Sequence, residues 1–251
     1  MKRALVLLSA VPLLALAACG ASDDDVAESS AGNAERAEIG SRVPAPNPLS
    51  GSTITDAAVL QTAMLTPTDL PDGYAVLPDP VRDLGLDPAP EYDAPDRSGT
   101  DPQRCADVLA PIADQVAGAA ADAEVRYAGP NFSSIDEDAA SYPEIGAADA
   151  FEAVQSTIAE CTAFSGTDAD GIDVEYQLSG REQMPVGDAS TSVRLETTSE
   201  GFTLVSDAVV AVVDRTVVQL VVTSQEGVDP DALTALAETA VDRIRGVDKG
   251  V

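Results

Sequence analysis

The chain has 251 residues, 45% of them hydrophobic but only 4% aromatic, which is enough apolar material for one sizeable core. Its 43 acidic residues against 14 basic ones give a formal net charge of −29, which argues against nucleic acid or anionic lipid as an electrostatic partner. The absence of His excludes Ser-His-Asp and Cys-His nucleophile pairs and His metal sites.

The first 18 residues have the features of an export signal. A basic start at Lys2 and Arg3 precedes an apolar stretch over residues 4–16. That stretch is shorter than the roughly 20 residues that a membrane-spanning helix needs. We therefore predict a signal peptide over residues 1–18 and export of the remaining chain.

The signal ends at a cysteine in a context typical of lipoproteins. The run Leu16-Ala17-Ala18-Cys19-Gly20 resembles the lipobox of bacterial lipoproteins, in which the Cys thiol is alkylated by diacylglycerol and becomes the mature N-terminus. Acyl chains of this kind hold a protein at a membrane without a transmembrane helix. The expected location is the outer face of the cytoplasmic membrane, with Cys19 as the lipid anchor. The alternative is an ordinary secretory signal that contains a Cys.

A polar segment without apolar periodicity follows Cys19. Residues 20–52 are rich in Ala, Ser, Asp, Glu, Gly and Pro, a composition typical of disorder. A flexible chain of this length spans on the order of 30 Å. The sequence therefore predicts a lipidated, disordered tether over residues 19–52 and a single folded domain over residues 53–251.

Helical and strand patterns begin after the tether. A short helix is predicted over 54–65, followed by a turn-rich segment in which Leu70 is buried. Residues 78–102 are rich in Pro and acidic side chains and are predicted as a surface loop. A strand over 123–127 follows a helix over 102–120. That helix would place five residues on its core face: Cys105, Val108, Leu109, Ile112 and Val116.

The C-terminal half contains two further helices with strands between them. Apolar residues at helical spacing predict a second core helix over 147–164, and Asp229 with Pro230 begins a last helix that ends at residue 245. Clean alternation predicts strands over 172–178 and 193–195. Close connections between strands favour antiparallel pairing. The fold class is therefore predicted as α+β: a single domain with an antiparallel sheet of about five or more strands flanked by helices.

The most apolar stretch of the chain predicts a hairpin that is buried on both faces. Residues 208–222 are almost entirely apolar around a turn at Asp214-Arg215, whereas a sheet with one wet face alternates apolar and polar residues. The three longer helices can cover one face. Three covers remain open for the other face: the short helix near Ile54, a partner protein of the envelope, or an apolar small molecule in a cleft. Such a cleft would be lined by Tyr127 or Tyr176 with Val209, Val212, Val217 and Val221.

Two cysteines remain once Cys19 is assigned to lipid. The exported compartment is oxidising, so Cys105 and Cys161 are predicted to form one interhelix disulfide. Two buried free thiols are the alternative. A metal site is disfavoured because two Cys without His leave the coordination shell unfilled, and no cofactor is predicted.

The segment from Leu65 to Ile244 contains an ordered set of motifs. They are Leu65-Thr66-Pro67 with Leu70-Pro71-Asp72-Gly73, Arg104-Cys105, Val125-Arg126-Tyr127, the Phe151 to Cys161 helix with Thr162-Ala163-Phe164, Pro185-Val186-Gly187-Asp188, and Gly227-Val228-Asp229-Pro230. With these motifs the segment resembles exported sensor-domain lipoproteins of actinomycetes and, more distantly, the extracellular sensor domain of mycobacterial receptor serine/threonine kinases, the PknH-like extracellular domain. The resemblance implies an antiparallel sheet flanked by helices around a deep apolar cleft for an unidentified ligand.

The functional expectation is a cell-envelope lipoprotein that presents a ligand-binding, sensor-type domain and is not an enzyme. A carrier of an apolar lipid and a structural envelope protein are the alternatives. Thr167-Asp168-Ala169-Asp170-Gly171 is similar to a calcium loop, but Gly166 and Gln177 would occupy positions that need Asp and Glu, so no metal is predicted. Carboxylate pairs for glycoside hydrolysis are disfavoured because carbohydrate sites normally use aromatic platforms, and aromatic residues are scarce.

Overall fold

The computed structural model describes residues 37–77 and 97–247. In these residues the strands are β1 (Ala75–Val76), β2 (Gly99–Asp101), β3 (Ala121–Ala128), β4 (Ser134–Ser141), β5 (Ala163–Thr167), β6 (Asp173–Gly180), β7 (Ala189–Ser199), β8 (Phe202–Val213) and β9 (Thr216–Ser224). The α-helices are α1 (Ala57–Ala63), α2 (Ile112–Gln115), α3 (Gly146–Glu160) and α4 (Pro230–Val247). The predicted signal peptide, Cys19, and most of the predicted Pro-rich loop lie outside the described residues.

All nine described strands form one sheet in which every neighbouring pair is antiparallel. The strand order is β1-β3-β4-β9-β8-β7-β6-β5-β2, so the β8–β9 hairpin lies near the middle. Its turn is Asp214-Arg215, where Asp214 adopts a φ of 57° that Asp tolerates better than most residues. The α+β class, the antiparallel sheet and the central hairpin are therefore confirmed.

Helices of the chain itself cover both faces of this hairpin. On the first face α1 and α4 pack on alternate residues of the hairpin, such as Val209 and Leu220. On the second face α3 and the short α2 pack on the other set, such as Val210 and Val217. The prediction that all three longer helices share one face is wrong, because α4 packs with α1 on the first face and α3 packs on the second.

The predicted helix over 102–120 is also wrong. The chain forms a 3-10 helix at Gln103–Asp107, turns at Leu109 with a φ of 58°, and forms α2 only after Pro111. Pro cannot donate a backbone hydrogen bond and clashes with the preceding turn, so a continuous helix through this position is unfavourable. Two of the predicted core residues, Cys105 and Ile112, are nevertheless buried.

The predicted disulfide is present. Cys105 lies in the 3-10 helix, and Cys161 immediately follows α3. Their Cα atoms are 5.7 Å apart, within the usual range for a disulfide. The bond therefore ties the segment before α2 to the C-terminal end of α3 rather than joining two long helices.

Part of the predicted tether packs against the domain as an N-terminal strap, residues 37–49. The amide of Gly180 donates to the carbonyl oxygen of Ala37, and a Cβ at Gly180 would lie only 2.2 Å from the carbonyl oxygen of Glu38. The buried Gln155 of α3 holds Val43 by accepting from its N–H at 2.8 Å and donating to its C=O at 3.0 Å. Residues 37–49 are therefore part of the folded unit, although their composition is typical of a linker.

In the described part of the chain, no helix combines the length and the apolar character needed to cross a bilayer.

A buried ion-pair cluster joins β7, β8 and the segment before α4. Asp207 is fully buried and accepts from Arg181 at 2.6 Å and from the Nε of Arg194 at 2.7 Å. Its second oxygen accepts from Arg194 and from the N–H of Val228. Gly227 lies against this cluster with a φ of 82°, and a Cβ there would lie 2.5 Å from Arg194. The cluster thus determines how the chain enters α4.

Replacing Asp207 by Asn is expected to lower the free energy of unfolding by about 3 kcal/mol, because it leaves two guanidinium groups without a carboxylate. The value is at the low end for a broken buried pair since the Arg194 side chain is 30% exposed and can turn to water. Urea unfolding measures the loss, with Asp173→Asn at the exposed start of β6 as the control. The double variant Arg181→Met with Asp207→Asn should lose less, and an equal loss would contradict the argument.

Candidate ligand site

A cavity of about 230 Å³ lies on the second face of the sheet beside the segment that precedes α2. Strands β3, β4, β9, β8 and β7 form its floor, and residues 109–111 form one wall. The lining residues are Leu109, Pro111, Glu124, Arg126, Asp136, Glu137, Asp138, Leu195, Ser206, Gln219 and Val221. The cavity therefore has a carboxylate-rich side and an apolar side.

Pairing between β3 and β4 assembles the charged side. Glu124 lies opposite Asp138, and Arg126 lies opposite Asp136. Arg126 forms ion pairs with Glu124 and, at 3.8 Å, with Asp136. Because these four side chains alternate along two neighbouring strands, they point to the same face of the sheet. Three carboxyl groups thus share this face with one guanidinium.

Asp138 is held by two hydrogen bonds from neutral donors. One of its oxygens accepts from the N–H of Ile112 at 2.7 Å, and the other accepts from the Nε2 of Gln219 at 2.9 Å. Burial raises the pKa of Asp138 to about 7, although these two hydrogen bonds act in the opposite direction. Burial also raises the pKa of Asp136, against the hydrogen bond from Ser134 and the charge of Arg126.

Gln219 is the polar link between the sheet and the wall. Its side-chain nitrogen lies within hydrogen-bonding distance of the carbonyl oxygens of Leu109 and Ala110 as well as of Asp138. Its Oε1 is buried and has no hydrogen-bond partner among the described residues. A buried acceptor without a partner costs roughly 1–3 kcal/mol, which a donor brought by a ligand would offset.

The structure places the six residues predicted for a cleft on two opposite faces of the sheet. Val221 lines the cavity, and Tyr176 lies on the same face of the sheet, stacked on Phe164 with 4.5 Å between ring centroids. Val212 and Val217 are completely buried in the second core. Tyr127 and Val209 belong to the first core on the opposite face, where the Tyr127 hydroxyl donates to the carbonyl oxygen of Leu65. The structure therefore places three of the four Val residues on the face of Tyr176, and it places Val209 with Tyr127 on the opposite face.

Sequence reasoning does not find Asp136, Asp138 and Gln219. Two of them lie on β4, whose sequence Ser-Ile-Asp-Glu-Asp-Ala-Ala-Ser has few large apolar residues and does not predict a strand. Gln219 is visible as the one amide within the apolar hairpin. The pairing of β4 with β9 places that amide opposite Asp138, and the sequence alone does not show this proximity.

A larger cavity of about 520 Å³ lies between the strap and α3. Its buried amide, Gln155, already makes hydrogen bonds to Val43 with both polar atoms. Its charged rim includes Arg42 and Glu152, which lie 3.8 Å apart. The smaller cavity is the stronger candidate for a ligand site because it retains an acceptor without a partner. Residues 37–77 and 97–247 contain no group of three or more Cys, Asp or Glu side chains arranged to hold a metal ion.

The fold of this chain, an open antiparallel sheet with helices on both faces, is similar to that of the extracellular domain of PknH from Mycobacterium tuberculosis. That crystal structure superposes with a TM-score of 0.57 at 12% sequence identity, covering 78% of this chain and 100% of that chain. A putative uncharacterized protein from Mycobacterium smegmatis also matches, with a TM-score of 0.39, 15% identity and coverage of 76% and 97%.

The resemblance predicted from the sequence motifs is thus confirmed as a structural similarity, and at 12% identity it is a similarity of fold. No family model matches the sequence, and no curated protein matches it.

Proposed function

We propose that this protein is a cell-envelope lipoprotein that presents a non-enzymatic, ligand-binding domain of the sensor type outside the cytoplasmic membrane. The observation that carries the proposal is the cavity at Asp138 and Gln219, a concave site with an apolar side and a buried acceptor that has no partner among the described residues. Sites for small molecules typically combine such an apolar lining with a few polar groups.

Three further observations support the exported location. The sequence begins with a signal-like segment that ends in a lipobox-like motif at Cys19. The disulfide between Cys105 and Cys161 suits an oxidising compartment. The structural neighbour from Mycobacterium tuberculosis is an extracellular domain.

The absence of His supports a binding role over catalysis, since it removes the commonest general base.

The anchor is tested by expressing the full chain in an actinobacterial host and analysing the membrane fraction by mass spectrometry. An N-terminal peptide that begins with a diacylated or triacylated Cys19 is expected, and Cys19→Ala should move the protein out of the membrane fraction. Recovery of the wild type as an unmodified soluble protein in equal yield would overturn the lipoprotein part of the proposal.

Ligand binding is tested by native mass spectrometry of the exported protein, made with Cys19→Ala to remove the anchor. A bound small-molecule mass that is lost in the cavity variant Val221→Trp is expected. A matched control is Val59→Trp on the exposed face of α1, which should retain the mass. A bound species that survives Val221→Trp would place binding outside this cavity, and a bound acyl lipid would favour the carrier function instead.

A further inference from the structure

The electrostatics of the cavity are unbalanced among the described residues. Glu124, Asp136 and Asp138 contribute three carboxyl groups, whereas Arg126 is the lining residue with a positive charge. The fourth acidic lining residue, Glu137, directs its carboxyl group to the N–H of Leu65 in the first core. Arg126 makes its ion pairs with Glu124 and Asp136. Asp138 is held by neutral donors, the N–H of Ile112 and the amide of Gln219. A negative charge on Asp138 therefore has no direct cationic partner in this part of the chain.

The buried polar atom of Gln219 that has no partner among the described residues is an acceptor. The Oε1 of Gln219 is buried without a partner, while the Nε2 of the same amide faces three acceptors, the carbonyl oxygens of Leu109 and Ala110 and the carboxylate of Asp138. Turning the amide over would place Oε1 against those three acceptors, so the observed orientation is favoured. A ligand that satisfies this site must bring donors, and an anion would be repelled by the carboxylates.

The opposite side of the cavity favours an apolar group in the rest of the ligand. Leu109, Leu195 and Val221 present aliphatic surface, and the volume of about 230 Å³ accommodates a compact group. Ser206 is the hydroxyl residue on this side, and its side chain already pairs with Thr223 at 2.8 Å. The polar and apolar sides therefore select different parts of one small molecule.

We infer that the cavity binds a small organic cation, an ammonium or amidinium group attached to a short aliphatic body, with the charged group at Asp138 and Gln219. The inference deepens the proposed function and rests on it. A charged donor next to a carboxylate forms a shorter and stronger hydrogen bond than a neutral donor does. The aliphatic body then packs on Leu195 and Val221.

Binding of this cation is linked to pH. The groups that act on Asp138 are the N–H of Ile112, the amide of Gln219, the carboxylates of Glu124 and Glu137, the guanidinium of Arg126 and the hydroxyl of Tyr142. With an Asp138 pKa of about 7, the carboxyl group is partly protonated at neutral pH in the free protein. A cation favours the ionised form, so affinity should increase as the pH rises from 6 to 8.

The test compares three probes with the same aliphatic body and different charge: isoamylamine, isoamyl alcohol and isovalerate. Each is titrated into the anchor-free full chain at pH 8 and followed by ¹H-¹⁵N chemical shifts of β4 and β9 and by calorimetry. The amine is expected to bind about tenfold more tightly than the alcohol, as a gain of one charge-assisted hydrogen bond predicts, and the acid should not bind. Asp138→Asn should abolish the difference between amine and alcohol. Asp149→Asn, which lines the larger cavity, should preserve it.

The outcomes distinguish a failure of the cation inference from a failure of the proposed ligand-binding function. Equal binding of amine and alcohol would overturn the cation inference and leave the ligand-binding function intact. Shifts confined to the larger cavity, or no binding by any probe, would overturn the inference, and the native mass experiment would then decide the function alone. If Asp138→Asn does not fold, the pH series on the wild type replaces it, and an amine affinity that does not change between pH 6 and 8 overturns the inference.

Discussion

The free energy of unfolding of the wild-type protein is expected to fall by on the order of 5 kcal/mol as the pH rises from 4.5 to about 8, because Glu137 titrates in this range. Replacing Glu137 by Gln is expected to remove this loss. Glu137 lies on β4 and is fully buried against the first core. One carboxyl oxygen accepts from the N–H of Leu65 at 2.6 Å, and the other has no hydrogen-bond partner among the described residues.

Burial is the main cause of this pH dependence. It raises the pKa of Glu137 from 4.5 to about 8, and the charges of Asp138 and Asp69 add to the effect, while the Leu65 hydrogen bond and the charge of Arg243 oppose it. Between these two pH values the unfolded state releases a proton that the folded state retains. The contribution of Glu137 to stability is therefore greatest below pH 4.5, falls as the pH rises through that window, and becomes constant above about 8.

Urea unfolding of the wild type and of Glu137→Gln, measured at half-unit steps from pH 4 to pH 9, tests this expectation. The difference between the two free energies of unfolding should change steadily across the window in favour of the variant. Glu175→Gln, at an exposed position on β6, is the matched control and should follow the wild type. Titration of Asp138 also lowers stability in this range, and because Asp138 is present in both proteins its own contribution largely cancels in the difference between the curves. Parallel curves for wild type and Glu137→Gln would contradict the argument.

Removal of the disulfide is expected to lower the free energy of unfolding by about 4 kcal/mol. The bond joins residues that are 56 positions apart, and a crosslink over that distance removes this much chain entropy from the unfolded state. Both cysteines are buried, so Ala is the suitable replacement at each position and adds no unpaired hydroxyl group.

The double variant Cys105→Ala with Cys161→Ala is compared with the wild type by urea unfolding, with and without a reducing agent. Under reducing conditions the two proteins should have nearly equal stability, since both then lack the crosslink. A variant as stable as the oxidised wild type would contradict the prediction, because it would show that the crosslink does not stabilise the protein by lowering the entropy of the unfolded state.

Elements with strong local patterns are predictable from the sequence. The hairpin over β8 and β9, the helix α3 and the helix α4 each have a characteristic set of apolar residues, and each element is present in the structure. The pairing of Cys105 with Cys161 follows from counting thiols in an oxidising compartment. In these cases the local chemistry and the final environment agree, because burial of the apolar residues contributes most of the stability of each element.

Strand β4 shows why other elements are missed. It lies between β3 and β9, yet it contains Asp136, Glu137 and Asp138 in a row. Two of these carboxyl groups accept from backbone N–H groups of distant parts of the chain, Leu65 for Glu137 and Ile112 for Asp138. A local pattern contains no information about such donors, so the strand resembles a solvated segment.

Residue type and periodicity are therefore sufficient to predict the fold class, the central hairpin, the two long helices α3 and α4, and the disulfide. They do not predict which helix covers which face, that the strap at 37–49 packs on the domain, or where the cavity lies. Those features depend on contacts between distant segments, such as Gln155 with Val43 and Gln219 with Asp138. Long-range hydrogen bonds of buried polar groups are specific in three dimensions and leave little periodic signal along the chain.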